Sequence, residues 1–251
     1  MEHSLERLEL VYGQQAVARL REARVAVFGI GGVGSYAVEA LARSGIGALD
    51  LIDHDRVSVS NLNRQIIATF ATVGRFKTEA AEERIKTINP DCRVRTYETF
   101  YLPNTAELFD FRDYDYVVDA VDTVTAKLSL AEAARDAGVP IISAMGTGNK
   151  VHPELLEIAD LYETTECPLA RIMRKECRKR GIGRLKVVYS REVPRTPLDR
   201  ETGPEETQTE TESGYGRERQ IPGSTAFVPG TAGLLMASEV INDLTALYES
   251  V

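Results

Sequence analysis

The sequence predicts an α/β fold: a Rossmann-like, mostly parallel sheet with helices on both faces, plus a C-terminal extension with a basic helix, a strand and a final helix. Three observations predict it. Strand-like and helix-like segments alternate up to about residue 145, the pattern of parallel β–α–β units. A glycine turn, Gly29-Ile30-Gly31-Gly32-Val33-Gly34, follows the apolar run Arg24–Phe28 and opens a helical segment. A second apolar run, Ala48–Ile52, delivers Asp53 nineteen residues after Gly34.

Each part of that unit has a physical task. Gly29 permits the tight turn, Gly31 lets the backbone approach a phosphate, and Gly34 lets helix pack on strand; Gly32 lies between them. The helix amino terminus offers unpaired N–H groups to an anion. Asp53 is placed to accept hydrogen bonds from ribose hydroxyls. The unit therefore predicts nucleotide binding.

The remaining elements follow in order. A polar loop runs from Asp53 to Arg64. A helix near Phe76–Ile88 carries Ala81, Ile85 and Ile88 on one stripe, and Asn89-Pro90 stops it. Cys92–Glu98 reads as a short strand. Asp115–Val121 reads as a buried strand ending at Asp122, Val124–Ala137 as a helix closed by Gly138, and Pro140–Ala144 as a strand. Residues 1–150 are thus expected to form an ATP-binding core, and 151–251 an extension integrated with it. In that extension Leu155–Leu161 is a candidate strand, Pro168–Arg180 a basic helix, Leu185–Ser190 a strand and Thr231–Tyr248 a final helix. The Pro-, Glu- and Thr-rich stretch near 195–224 reads as a mobile loop.

Composition removes several alternatives. No run reaches the roughly 18–20 apolar residues of a membrane span, and the charged start Met1-Glu2-His3 lacks an apolar signal core. A cytoplasmic protein without a membrane partner is expected. The three cysteines form no C-x-x-C pair and the three histidines are scattered, so neither a cysteine zinc site nor a histidine metal site is encoded. A net charge of −8 excludes a generally basic nucleic-acid binder while leaving room for a local basic surface.

Polar residues gather where the strands of a parallel sheet end. Asp53 and Asp55 follow one strand, Asp122 follows another, Asn61-Leu62-Asn63-Arg64 lies in the loop between, and Lys77 opens the next helix. A triphosphate carries about four negative charges, so its site needs cations and a magnesium-binding carboxylate. Arg64 and Lys77 supply candidate cations, and Asp122 the candidate carboxylate for Mg2+. The pattern G-x-x-x-x-G-K-[ST] is absent, which argues against a P-loop ATPase.

These residues resemble the adenylation core of the E1-like (ThiF/MoeB/HesA) family. Gly29 to Gly34, Asp53-His54-Asp55, Asn61 to Gln65, Lys77 and Val121-Asp122 agree with it in order and spacing. The resemblance implies that ATP and a carboxylate give an acyl-adenylate and pyrophosphate. It implies that Asp53 binds ribose, that Asn61, Arg64 and Lys77 contact phosphates, and that Asp122 holds magnesium. It also implies a homodimer, because Arg7, six residues before Gly13, matches an arginine that reaches the triphosphate of the partner subunit. Within the family, Ala40 to Gly47, Cys167-Pro168-Leu169-Ala170 and Val187 to Glu192 resemble the branch that dehydrates threonylcarbamoyladenosine at position 37 of tRNA. That likeness implies a tRNA substrate, and a sulfur-transfer (cysteine desulfurase) partner remains open. Two rivals also remain: adenylation of the carboxyl terminus of a ubiquitin-like sulfur carrier, and a noncatalytic nucleotide-binding adaptor.

The basic segment is the expected tRNA contact. Arg171, Arg174, Lys175, Arg178, Lys179, Arg180, Arg184 and Lys186 stand against one acid, Glu176. A charge run is more often a solvated helix face, but this one lies in an acidic chain, and clustered cations supply phosphate contacts. Cys167 reads as a small buried residue rather than a nucleophile. His54 and His152 read as surface or loop residues.

Overall fold

The computed structural model describes residues 4–102, 104–198 and 222–246. Most of the expected 195–224 loop and the expected helix end at Tyr248 lie outside them.

Two helices open the chain, α1 (Glu6–Tyr12) and α2 (Gln14–Glu22). The core follows as β1 (Arg24–Phe28), α3 (Gly34–Arg43), β2 (Ala48–Ile52), α4 (Lys77–Ile88), β3 (Arg93–Tyr97), β4 (Tyr116–Asp119), α5 (Val124–Ala137) and β5 (Ile141–Ala144). Then come β6 (Leu156–Asp160), α6 (Pro168–Lys179), β7 (Lys186–Ser190) and α7 (Phe227–Ala246). The strands make one seven-stranded sheet in the order β3-β2-β1-β4-β5-β7-β6. All neighbours are parallel except β6 and β7, where Ile158 pairs antiparallel with Val188. The extension therefore continues the core sheet through the parallel β5–β7 pair.

The central strands are buried on both faces, as parallel strands under helices must be. Val25 and Val27 join α3, α4 and α7 in one core, while Ala26 and Phe28 join α5 in the other. Phe28 there meets Tyr101, Phe109 and Phe111 at ring-centroid distances of 4.9–5.9 Å. A third cluster packs α6 on α5 and β7 through Met173, Cys177, Leu128 and Val187.

Two elements differ from the sequence reading. The amino-terminal helices were not assigned; α2 buries only Ala16, Val17 and Leu20, a stripe too short to stand out. The final helix begins at Phe227, ahead of the expected Thr231. Pro229 is tolerated there because a first-turn residue has no intrahelical N–H bond to lose. The crossing of α7 over α3 is close: a Cβ on Gly233 would stand 2.2 Å from Val33 O.

Candidate nucleotide-binding site

The site forms where β1 and β4 end side by side in parallel register. The chain leaves β1 at Gly29 with φ +87°, and a Cβ there would stand 2.7 Å from Ala120 O. A Cβ on Gly34 would stand 1.8 Å from Gly29 O. Both positions therefore require glycine, and the turn closes tightly enough to aim the amino terminus of α3 past the strand ends. No side chain caps that terminus; Ser35 N and Tyr36 N donate to Gly31 O and Val33 O, while the Gly34 N–H has no partner among the described residues and is available to an anion. Above Gly32 the nearest atoms belong to Pro229 of α7 and to the stem of Arg64.

Asp53 ties the end of β2 to this turn. Its Oδ2 accepts from Ile30 N at 2.6 Å and its Oδ1 from Asp55 N at 2.8 Å. Each carboxylate oxygen keeps a second lone pair for a ribose hydroxyl. Lys77, the first residue of α4, is 6% exposed. Its Nζ lies 2.6 Å from Asp55 Oδ2 and 3.9 Å from Asp53 Oδ2. The structure thus brings Gly29, Gly31, Gly32, Gly34, Asp53, Asp55 and Lys77 into one locus.

The loop between β2 and α4 is held by Asn61, whose buried Oδ1 accepts from Ser58 N at 3.1 Å. Asn61 O accepts from Arg64 N and Gln65 N. Arg64 Nη1 donates to Ser60 O at 2.7 Å and to Asn63 Oδ1 at 3.0 Å, and burial lowers its pKa. A guanidinium remains charged despite such a shift. Asn63 Nδ2 reaches across to Ser224 O at 3.0 Å, joining this loop to the segment ahead of α7.

Asp122 stands two residues past Ala120, on the turn from β4 to α5, and is exposed. Among the described residues it has no hydrogen-bond or ion-pair partner. The turn is anchored from below by groups the sequence reading missed. Lys127 and Asp119 are 1% and 0% exposed, and Lys127 Nζ lies 3.2 Å from both Asp119 oxygens. Ser143 donates to Asp119 Oδ2 at 2.5 Å, and Val121 N donates to Oδ1 at 3.2 Å. The signal was a lysine between Ala126 and Leu128 on a buried helix stripe. Lys150 is a second such group: it is 2% exposed and donates to Gly146 O at 3.0 Å and Ser190 O at 3.4 Å. Burial pulls its pKa down, against the pull of Cys167 and Glu192.

Two carboxylate groupings are candidates for a divalent cation. Asp53, His54 and Asp55 place ligand atoms within 4.8 Å of one another, but the Lys77 ammonium already faces both acids. A dication there would be repelled by it. Asp122 offers hard, uncommitted oxygens and is the better fit to magnesium.

Arg7 lies elsewhere. It is exposed on α1, whose leading residue Leu5 packs against Gly45, just beyond the carboxyl end of α3. The glycine turn is at the other end of α3, which is ten residues or about 15 Å long. A cavity of about 600 Å3 also opens at that far pole, lined by Arg21, Gly47, Asn89 and Arg93; none of the strand-end residues lines it.

The basic helix starts beside the site, since Cys167 and Leu169 border Gly146 in the loop after β5. Its cations are unequal. Arg174 donates to Thr164 O at 2.9 Å and also to Thr164 Oγ1. Lys179 pairs with Glu176 at 2.7 Å, and the Arg178 guanidinium sits 5.2 Å from the Tyr162 ring centroid. Arg171 and Lys175 are exposed without a partner among the described residues. Cys167 is 1% exposed, as expected of a packing residue. Among the described residues no helix is long and apolar enough to cross a membrane.

The fold agrees with what comparison finds. The chain is 40% identical over 248 residues to the tRNA threonylcarbamoyladenosine dehydratase of Bacillus subtilis, covering 97% of this chain and 95% of the relative. It superposes on the Escherichia coli tRNA N6-threonylcarbamoyladenosine dehydratase in complex with ATP with a TM-score of 0.85, at 32% identity, over 99% of this chain and 96% of that one. The complex of the same Escherichia coli enzyme with AMP gives a TM-score of 0.83 at 32% identity, over 97% and 94%. The ThiF family model matches residues 3–250, and the chain belongs to that family.

Proposed function

We propose that the protein is an ATP-dependent tRNA threonylcarbamoyladenosine dehydratase that adenylates the threonyl carboxylate. The observation that carries this reading is that the full-length likeness to a dehydratase runs through the basic extension as well as through the phosphate cradle.

The chemistry follows from the leaving group. A carboxylate is a poor electrophile because oxide is a bad leaving group. A carboxylate oxygen of the substrate attacks the α-phosphorus, the bond to the β-phosphate oxygen breaks, and pyrophosphate departs. The acyl-adenylate then closes on a nucleophile of the same carbamoyl substituent: that atom loses its proton, the acyl C–O bond breaks, and AMP leaves with the substrate's oxygen. The substrate is one water lighter. Proximity supplies as much as about 7–11 kcal/mol in well-oriented intramolecular reactions, so no enzyme nucleophile is needed and buried Cys167 has no covalent part. No sulfur enters these steps, so a cysteine desulfurase partner would act outside them.

The residues divide the work. The α3 amino terminus, Arg64 and Lys77 hold and neutralise phosphate oxygens, and Asp53 fixes the ribose. Asp122 would hold Mg2+, which when bound neutralises charge on the departing pyrophosphate. Arg7 cannot serve its own cradle from the far end of α3, so a homodimer in which it serves the partner's site completes the set. A tRNA substrate places the reaction in the cytoplasm.

The test is to incubate the protein with ATP and tRNA bearing threonylcarbamoyladenosine, digest, and weigh the nucleosides. A modified adenosine lighter by one water, with AMP and pyrophosphate formed in step, is the expected result. Formation of ADP and phosphate in step would overturn the adenylation mechanism.

A further inference from the structure

Asn149, in the loop after β5, spends its hydrogen bonds on two distant parts of the chain. Its backbone stands at φ +58°, a left-handed conformation that asparagine tolerates better than most side chains. Its O accepts from Arg195 N at 2.8 Å, its N donates to Gly223 O at 2.8 Å, and its Oδ1 accepts from Gly223 N at 2.6 Å. None of these partners is local, so the residue does more than complete a turn. The loop that carries it is fastened to β7 and the residues just beyond it. Buried Lys150 donates to Gly146 O and Ser190 O, and the Glu192 carboxylate accepts from Val151 N and His152 N at 2.9–3.1 Å.

The segment that Asn149 grips has little else to hold it. Among the described residues, the hydrogen bonds of Pro222, Gly223 and Ser224 are the pair to Asn149 and one from Asn63 Nδ2 to Ser224 O at 3.0 Å. Asn63 is exposed, and its Oδ1 accepts from Arg64 Nη1 at 3.0 Å. Both ends of its carboxamide are thus committed, which fixes the group between Ser224 and the guanidinium. An arginine side chain has much rotamer freedom to lose, and this tether removes part of it. A continuous path of hydrogen bonds and backbone therefore runs from Asn149 through Gly223, Ser224 and Asn63 to Arg64.

We propose that Asn149 is a positioning residue: by holding Gly223 it keeps Ser224 O in place for Asn63, and Asn63 in turn holds the Arg64 guanidinium. The proposal rests on reading Arg64 as a cation for the triphosphate. Its own content is that this cation is set from the far side of the site, by a residue of the loop after β5 that acts only through others.

Calorimetric titration with ATP and thermal unfolding of five proteins test this: the parent, Asn149→Gly, Asn149→Asp, Asn63→Ala, and the double variant Asn149→Gly, Asn63→Ala. Glycine keeps the left-handed backbone without strain and removes only the side-chain acceptor, so Asn149→Gly is expected to fold. Its Kd for ATP is expected to rise about 3- to 10-fold, the effect of one hydrogen bond. Asn149→Asp restores an acceptor for Gly223 N and should bind ATP as the parent does. Asn63→Ala should weaken ATP at least as much as Asn149→Gly, and the double variant no more than Asn63→Ala alone, because links of one path are not additive. Parental affinity in Asn149→Gly or in Asn63→Ala would overturn the proposal. So would losses that multiply in the double variant, or an Asn149→Asp protein as weak as Asn149→Gly. A parent protein that gains no stability from ATP would instead overturn the nucleotide reading itself, and this proposal with it.

Discussion

Lys77 and Asp55 form a 2.6 Å ion pair at the carboxyl end of β2, with the lysine side chain 7% and the aspartate side chain 48% exposed. The lysine is locked at the start of α4 while its partner faces solvent. A triphosphate entering the cradle therefore competes with a half-exposed acid for a buried cation. Removing the cation would leave Asp53 and Asp55 to repel the phosphates. Lys77→Met is expected to lower kcat/KM for ATP by about 10²–10³-fold, the loss seen when one preorganised donor to developing charge is removed. Asp55→Asn should cost far less, because it frees the ammonium. Pyrophosphate release measured over a range of ATP concentrations checks both, and a near-parental Lys77→Met would detach this lysine from the reaction.

Arg7 and Asp122 make a matched pair for a subunit-mixing experiment. Arg7→Ala and Asp122→Asn homodimers are each expected to be inactive and folded, since both side chains are exposed. A heterodimer holds one site lacking both groups and one lacking neither. Mixed subunits should therefore recover up to half the parental activity in proportion to the heterodimer formed. Heterodimers that are present yet inactive would show that Arg7 acts within its own chain or not at all.

What could be read from the sequence was what is local. The glycine turn, Asp53 and the strand ahead of them lie within one continuous stretch, and each residue's constraint is met by near neighbours. Asp119, Lys127 and Ser143 were not legible as a group. Their meeting depends on the β4–β5 register that places Asp119 beside Ser143, and register is a property of the assembled sheet. Arg174 illustrates the same limit from the other side. In sequence it is one cation in a run of them; only the fold shows that Thr164 engages it.

Alkaline pH is expected to destabilise the fold through its buried thiols. Burial pushes Cys92 and Cys177 up to about 11 from an ordinary value of 9.0, and burial raises Tyr114 and Tyr116 as well. Between pH 9 and 11 the unfolded chain sheds thiol protons that the native chain keeps. It then binds fewer protons than the native state, so unfolding free energy falls as pH rises. The thiol contribution is whole below pH 9 and lost by about pH 11, on the order of 2–3 kcal/mol per thiol at most. Urea unfolding of the parent and of the double variant Cys92→Ala, Cys177→Ala at pH 8 and pH 10.5 gives the check. The variant should begin less stable, from lost packing, and fall less between the two. Equal losses would assign the alkaline sensitivity to other groups, the tyrosines first.

The structure sharpens the expected tRNA contact by separating cations that share one helix. Arg171 and Lys175 are exposed and unpaired among the described residues, whereas Arg174 is half-buried against Thr164. Lys179 and Arg178 fall between, engaged by Glu176 and the Tyr162 ring yet exposed. A phosphate contact releases counterions, so each one adds roughly −0.7 to −0.9 to the slope of log affinity against log salt. The variant Arg171→Ala, Lys175→Ala should flatten that slope by up to about two contacts, raise the tRNA concentration for half-maximal rate, and leave ATP affinity nearly unchanged. Arg174→Ala should act differently: it removes the donor to Thr164 O and lowers stability, with tRNA affinity changing less than in the double variant. Binding of tRNA measured from low to moderate salt, together with thermal unfolding, separates the two outcomes. If the double variant keeps both the parental slope and the parental affinity, α6 presents only a solvated face and the polyanion docks elsewhere.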